Sequence, residues 1–305
     1  MPYSRGVNEP RHAARVEVLL EALPYIQRFA GKTVVVKLGG NAMIDRELEQ
    51  AFALDIVLLR TVGLKPVVVH GGGPQIDRML EELAIPSTFV RGLRVTDART
   101  MRVVEMVLAG EINGEIVARI QSVGGRAVGL SGKDGGLLRA RRKTSTDGSD
   151  LGQVGEVEAV DAGVIEALHE RGFIPVIAPV AAGATGESLN VNADTAAGEI
   201  AAALGAERLL LLTDVEGILD RDGRLMPTLH QAEARGLIAS GVVGGGMIPK
   251  LECCLDAIEG GVGKVHVIDG RVPHSVLLEL FTDAGIGTEV AAGGMAAQGA
   301  SGVRA

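Results

Sequence analysis

Two stretches of this chain set a charged or polar side chain between a run of valines and a run of glycines: VVVKLGG at residues 34–40 and VVVHGGGPQI at 67–76. A valine run reads as a buried strand. Glycines after it let backbone come close to whatever lies at the strand's end. A third glycine run, GGGMIPK at 244–250, opens an apolar-periodic helix and ends on Lys250. The first N–H groups of a helix have no partners inside it and sit at the positive end of its dipole, so they favour negative charge. One glycine pair after a strand is ordinarily a tight turn, and one strand-end lysine ordinarily reaches solvent. Three glycine openings together with Lys37 and Lys250 point instead to a polyanionic ligand.

The familiar phosphate patterns are not the ones used. GxxxxGK[ST] is absent, and the consecutive glycines of GGGPQI do not match the GxGxxG dinucleotide fingerprint, so a nicotinamide-linked oxidoreductase is poorly supported. No Ser-His-Asp or Cys-His arrangement for nucleophilic catalysis stands out. His70 reads as a packed strand histidine rather than a catalyst.

Strands are expected at 33–38, 66–70, 126–130, 173–180, 207–212 and 264–268. Between them the spacing gives helices at 46–62, 74–84, from Thr96 or Asp97 to about 109, 112–123, 161–171, 194–204, 231–239, 247–259 and 275–281. Segments 137–143 and 152–160 read as a β-hairpin around the long loop TSTDGSDLG, and AAGATGES at 181–188 reads as a loop. Alternating strands and helices make an α/β fold with a mostly parallel sheet covered on both faces. Ligands of such sheets bind beyond the carboxyl ends of the strands, where Lys37, Gly39, Gly40 and Gly71–Gly73 fall. Residues 1–30 form a separate amphipathic helix, broken or kinked at Pro24; it packs on its own core or docks on another subunit. Two lobes, about 31–180 and 181–290, share one sheet, and 291–305 is small-residue-rich and expected to be a flexible tail.

With 305 residues, 47% hydrophobic and 22% charged, the composition is that of a soluble globular chain. A net charge of −8 without a basic segment argues against nucleic-acid binding, so any anion site is local. Cys253 and Cys254, the only cysteines, are adjacent and form no disulfide framework. No apolar run approaches a membrane span, and the first residues lack the apolar core of a signal peptide. The expected location is cytoplasmic.

VVVKLGGNAM, VVHGGGPQI, RGLRVTD, NVNADTAA, LLTDVEGILD and GGMIPKLECCLDAI, in this order over about 33–290, resemble the amino acid kinase family. RGLRVTD and NVNAD resemble its acetylglutamate kinase branch in particular. The resemblance implies one three-layer αβα sandwich, with an N-lobe for the amino acid and a C-lobe for ATP. It also implies phosphorylation of the side-chain carboxylate of N-acetyl-L-glutamate, in arginine biosynthesis. Carried onto this sequence, it makes Lys37, Lys250 and Asp194 catalytic, with Asp194 orienting both lysines. Gly72, Gly73, Arg94 and Asn190 bind substrate, Arg94 through a bidentate pair with the α-carboxylate; Arg91 reads as a surface residue. Gly39, Gly40, Thr213, Asp214, Gly217, Gly245 and Met247 lie about the nucleotide, Met247 as a core or adenine-contact residue. Mg²⁺ is implied by ATP and needs no protein cage, so no metal residue is named.

The N-terminal helix and HSVLLELFTDAGIGTEV at 274–290 resemble the arginine-inhibited members, in which such helices interlace dimers into a hexamer, a trimer of dimers. His274, Glu279 and Gly287 are the effector candidates; the plainer reading of this segment is a helix and a final strand. Two alternatives remain: a kinase acting on carrier-protein-linked aminoadipate in lysine biosynthesis, against which RGLRVTD argues, and a non-catalytic amino-acid sensor of the same fold, against which intact Lys37, Asp194 and Lys250 argue.

Overall fold

The computed structural model describes residues 10–90, 92–145, 148–283 and 285–293, with only the backbone of 10–15 and 41. Arg91 and the expected tail from 294 lie outside the described residues. In chain order the elements are α1 (Pro10–Phe29), β1 (Thr33–Leu38), α2 (Arg46–Thr61), β2 (Lys65–His70), α3 (Gly73–Glu82), β3 (Phe89–Val90), β4 (Leu93–Arg94), α4 (Ala98–Glu105), α5 (Asn113–Ser122), β5 (Ala127–Ser131), β6 (Leu138–Arg142) and β7 (Gly155–Val160). There follow α6 (Gly163–Glu170), β8 (Ile174–Ala178), β9 (Val180–Ala182), β10 (Ser188–Asn190), α7 (Ala193–Ala203), β11 (Arg208–Thr213), β12 (Thr228–His230), α8 (Gln231–Ala239), α9 (Met247–Glu259), β13 (Lys264–Asp269), α10 (Ser275–Leu280) and β14 (Thr288–Ala291).

Among the described residues eight strands form the central sheet, in the order β12-β14-β13-β11-β1-β2-β8-β5. All neighbours run parallel except β13 and β14. The chain starts in the middle, at β1, extends through β2 to one side and returns on the other side with β11. The strand order therefore reverses beside β1, the place where open α/β sheets bind ligands. Period-two alternation sends Val34, Val36 and Leu38 into one core with Phe52, Ile56 and Ile120 of α2 and α5. Val35 enters the other core with Ile200 of α7 and Leu251 of α9. Both faces are buried, so the fold is the expected αβα sandwich. Lys37, two residues after Val35, shares the face that α7 and α9 cover. A smaller sheet, β10-β9-β6-β7, stands beside it.

Several elements differ from the expectations. α1 runs unbroken through Pro24, whose side is exposed. Helices expected to end at 109 and restart at 112 are one continuous stretch: α4 passes through a π-helical turn, Met106–Ile112, into α5. Pro179, which has no N–H to give a ladder, separates β8 from β9. Segment 181–188 is not all loop, because β9 and β10 pair antiparallel around 183–187. Ala291, counted with the expected tail, belongs to β14.

The hairpin loop closes back on the start of α4. Thr96 N–H donates to Leu151 O, and Gln153 N–H donates to Thr96 O. Between them Gly152 has φ +69°, and a Cβ there would meet the Thr96 carbonyl. Thr96 Oγ1 in turn accepts from Asn190 Nδ2 at 3.2 Å. Gly152→Ala is expected to destabilise the protein by about 1–3 kcal/mol through left-handed strain and this clash. Thermal denaturation of the variant checks it, and an unchanged melting temperature would contradict it.

Candidate active site

Three elements deliver one cluster at the switch point. β1 ends on Lys37 and Leu38, α7 begins with Asp194 in its first turn, and α9 carries Lys250 near its start. Lys37 Nζ lies 3.0 Å from Asp194 Oδ1, and Lys250 Nζ lies 2.6 Å from Oδ2. The Lys250 contact is a hydrogen bond. The Lys37 contact is an ion pair without hydrogen-bond alignment, and Oδ1 accepts no hydrogen bond. Side-chain exposures of 12%, 17% and 11% leave the cluster largely out of water yet open on one side.

Local structure favours the carboxylate and opposes the lysine. Asn192 caps α7, accepting from the amides of Asp194 at 2.9 Å and Thr195 at 3.2 Å, and the helix start stabilises an acid. Lys250 stands near the positive end of α9, where a cation is disfavoured, and is held there by Asp194. Burial by itself raises the Asp194 pKa, but the charges of Lys37 and Lys250, with the Lys250 hydrogen bond, outweigh it and bring it down to about 2. Sharing one anion between two ammonium groups leaves the cluster with a net positive charge, suited to an incoming polyanion. α9 has no side-chain cap at Gly246, but its first amides turn back on the chain: Met247 N–H donates to Gly244 O and Ile248 N–H to Gly245 O, and Pro249 has none to give.

The glycines are shaped to this cluster. A Cβ at Gly39 would strike the Lys37 ammonium, and one at Gly40 would strike the carboxylate of Asp214, which follows β11. Gly72 caps α3 without a side chain, and a Cβ there would meet Ile112 Cδ1 and Leu108 Cδ2. The amides of Gly72 and Gly73 belong to the donors that a helix start leaves unpaired.

Arg94, at the end of β4, is buried. Its Nη1 donates to Asp77 and Ser87, its Nη2 donates to Gly73 O at 3.3 Å, and its guanidinium lies 4.6 Å from the Phe89 ring centroid. The Arg94 guanidinium beside Asp77 lowers that carboxyl's pKa. Nε–H and the second Nη2–H remain, and they form one edge of the fork, able to take a carboxylate bidentately. Asn190 joins Arg94 through Thr96, whose Oγ1 donates to Arg94 O at 2.8 Å.

The other expected residues divide. Thr213 ends β11 next to Asp214. Gly217 packs against Leu225 and Thr288. Gly245 has open space around it, and Met247 starts α9 packed against the second core. At the far end of the C-terminal half, Glu279 and Gly287 line a cavity of about 330 Å³ under α1, together with Arg28, Arg208, Lys264 and Asp283. Glu279 accepts from His266 Nδ1 at 2.6 Å and from the Ile286 amide at 2.6 Å. His274 does not join them. Its Nδ1 meets Asp55 of α2 at 2.6 Å, and Asp55 is pushed up to about 6 by burial.

Sequence reasoning missed Asp77, which braces Arg94, and Asn113, which reaches His70. Asn113 had no signal because it falls inside the expected helix 112–123, where nothing local shows that it faces the end of β2 just past the π turn.

An α/β sheet with two lysines on one carboxylate and glycine-opened helix starts at its switch point defines a protein built to hold phosphate-bearing anions. The chain belongs to the amino acid kinase family, whose model matches residues 32–269. It is 55% identical over 284 residues to the acetylglutamate kinase of Geotalea uraniireducens, covering 90% of this chain and 97% of that one. Its fold is similar to N-acetylglutamate synthase from Neisseria gonorrhoeae, solved with coenzyme A and N-acetyl-glutamate, at TM-score 0.83 and 30% identity over 92% of this chain; this chain spans 64% of that one's length. The same synthase solved with coenzyme A and L-arginine matches at TM-score 0.76 and 30% identity, covering 90% of this chain and 65% of that one.

Lys37→Ala is expected to leave the melting temperature near wild type while removing turnover by on the order of 10²–10³, the scale seen when one preorganised electrostatic contact is lost. The pH dependence has a defined sign. Asp194 is depressed in the folded state, so its contribution is fully present above about pH 4 and is lost as pH falls toward 2. Asp194→Asn removes that part of the acid-unfolding slope without altering the slope between about pH 5 and 7; acid titration followed by circular dichroism decides.

Proposed function

We propose that this chain transfers the γ-phosphoryl group of ATP to the side-chain carboxylate of N-acetyl-L-glutamate, giving N-acetyl-L-glutamyl 5-phosphate, the phosphorylation step of arginine biosynthesis. The observation that carries this reading is the pair of lysines held on one carboxylate at the switch point. The acceptor is a glutamate-type carboxyl, which ordinarily titrates near ~4.3, so it is already ionised at neutral pH and needs no general base. His70, buried and pushed down to about 4 by that burial, offers none. What the reaction needs is relief of repulsion between two anions and an in-line geometry. Lys37 faces the attacking carboxylate and the transferring phosphoryl group; Lys250 faces the leaving β-phosphate; Asp194 holds both in place. Gly72 and Gly73 donate amides to the reacting oxygens. The free edge of the Arg94 fork and Asn190 take the α-carboxylate.

The nucleotide lies over Gly39, Gly40, Thr213, Asp214, Gly217 and the start of α9 at Gly245 and Met247. The N-lobe, about 31–180, takes the amino acid and the C-lobe, about 181–290, takes ATP. Mg²⁺ arrives with the phosphates; among the described residues no group of three His, Cys, Asp or Glu side chains stands ready to hold a metal alone. No helix among the described residues is long and apolar enough to cross a membrane, and we place the enzyme in the cytoplasm.

Arginine is the proposed feedback effector, in the cavity under α1. Acidic Glu279, Asp283 and Glu289 there suit a guanidinium, and Arg28, Arg208 and Lys264 suit a carboxylate. Val16, Leu19, Leu20 and Leu23 of α1 are all exposed, which supports the interlacing of dimers into a hexamer. Tyr25 and Phe29, by contrast, pack edge-on against Phe281.

An acyl-hydroxamate trap with ATP tests the reaction: acetylglutamate is expected to give product well above glutamate, aspartate or carbamate, and its failure to do so would overturn the assignment. Removing residues 1–22 deletes most of the exposed apolar row but keeps Tyr25 and Phe29. The truncated protein is expected to run as a dimer with weakened arginine inhibition, measured by light scattering and by titration of activity with arginine.

A further inference from the structure

His70 is fully buried at the end of β2, one residue before the glycines. It cannot touch a substrate, yet both ring nitrogens are engaged. Nδ1 lies 2.9 Å from Gly71 O and Nε2 lies 3.1 Å from Asn113 Nδ2. The Asn113 amide nitrogen also faces two carbonyl oxygens, Val176 O at 3.0 Å and Leu130 O at 3.4 Å. An NH₂ group only donates, so Nε2 must accept, and the ring proton belongs on Nδ1, where it is donated to Gly71 O. Burial pushes the His70 pKa down to about 4, so the ring is neutral at neutral pH and holds this one tautomer.

That hydrogen bond has a geometric consequence. The C=O and N–H of a planar trans peptide point in opposite directions. Pinning Gly71 O toward the buried ring turns the Gly72 N–H away from it, out of the core. The other contacts on this segment agree. Gly71 N–H donates to Leu38 O at 3.0 Å, on the strand that carries Lys37. The Leu108 and Ile112 side chains of the π turn press on the Gly72 α-carbon, leaving no room for a Cβ. A π turn is a one-residue insertion in a helix and is frequent at functional sites; here it is followed at once by Asn113.

We propose that His70 and Asn113 are positioning residues for phosphoryl transfer: Asn113 sets the tautomer of His70, and His70 aims the Gly72 amide at the reacting oxygens. The inference rests on the reading that Gly72 donates to those oxygens. Neither residue is catalytic; each acts through the one beyond it. Without the relay the Gly71–Gly72 peptide can rotate, and a donor preorganised for the transition state becomes one that must be oriented during each turnover.

The test uses the full-length protein with ¹⁵N-labelled histidine. One histidine, identified by its loss in His70→Asn, is expected to show the Nδ1–H tautomer unchanged from about pH 5 to 8. An Nε2–H signature, or titration in that range, overturns the relay. Kinetics supply the second readout. Asn places its amide nitrogen where Nδ1 was, whereas Gln places it where Nε2 was. His70→Gln is expected to lower kcat roughly tenfold or more while both KM values stay within about threefold, and His70→Asn to restore most of kcat. Equal activities in the two variants, or a loss confined to KM, overturn the proposal. If His70→Gln does not fold, Asn113→Ala takes its place, with a mixed His70 tautomer and a lowered kcat expected; an unmixed tautomer overturns the proposal. Failure of the wild-type protein to make the hydroxamate would overturn the kinase reading itself. An active wild type with indistinguishable variants overturns only the relay.

Discussion

Two ammonium groups on one carboxylate hold this structure's chemistry in place. Lys37 comes from the central strand, Asp194 from the start of one helix and Lys250 from the start of another, so the triad ties together three elements that meet only at the sheet's switch point. Each lysine alone would be an awkward residue, one at a strand end and one near the positive pole of a helix. Asp194 makes both tolerable and keeps both aimed at the same space. Because one negative charge answers two positive ones, the site waits for an anion, and an acceptor carboxylate approaching a triphosphate supplies it.

Backbone donors complete the design, and the burial of the sheet explains how they are held. With both faces covered, the strand ends are fixed by two cores. The glycine loop after β2 inherits that rigidity through His70, Asn113 and the side chains of the π turn. A polar histidine and asparagine deep in an apolar layer are costly unless their donors and acceptors are matched; in this pair both ring nitrogens are. The same matching appears around Arg94, where Asp77, Ser87 and Gly73 take three N–H groups and leave one edge of the fork for a ligand.

The C-terminal half also carries a second cavity, under α1. Asp55 of α2 reaches across to His274 at the start of α10, and Glu279, at the other end of that short helix, is engaged by His266 and the Ile286 amide. His274 therefore belongs to the contact between α2 and α10 and not to the cavity wall. α1 closes the cavity with Tyr25 and Phe29 and leaves its earlier apolar residues uncovered.

Much was legible in the sequence, for reasons that are local. Valine runs, glycine runs and helical periodicity marked six of the eight central strands and most of the helices between them within about two residues, since alternating burial and strand-end turns are written in consecutive residues; the short edge strand β12 carried no such run. Lys37, Asp194 and Lys250 could be picked out by type and motif, and Arg94 by its setting in RGLRVTD. What consecutive residues cannot encode is which distant atoms complete a contact. The meeting of Lys37, Asp194 and Lys250 at 3.0 and 2.6 Å depends on strand order. The π turn packs Leu108 and Ile112 against Gly72, whereas a helical run broken near Gly110 reads locally as two helices. The pairing of β9 with β10 in a segment of small residues, the bracing of Arg94 by Asp77 and the turning of His274 toward Asp55 all come from chain brought together by the fold. Sequence alone determined the elements and the kind of ligand; tertiary structure decided which side chains share it, because hydrogen bonds and buried charges are settled by proximity in space rather than along the chain.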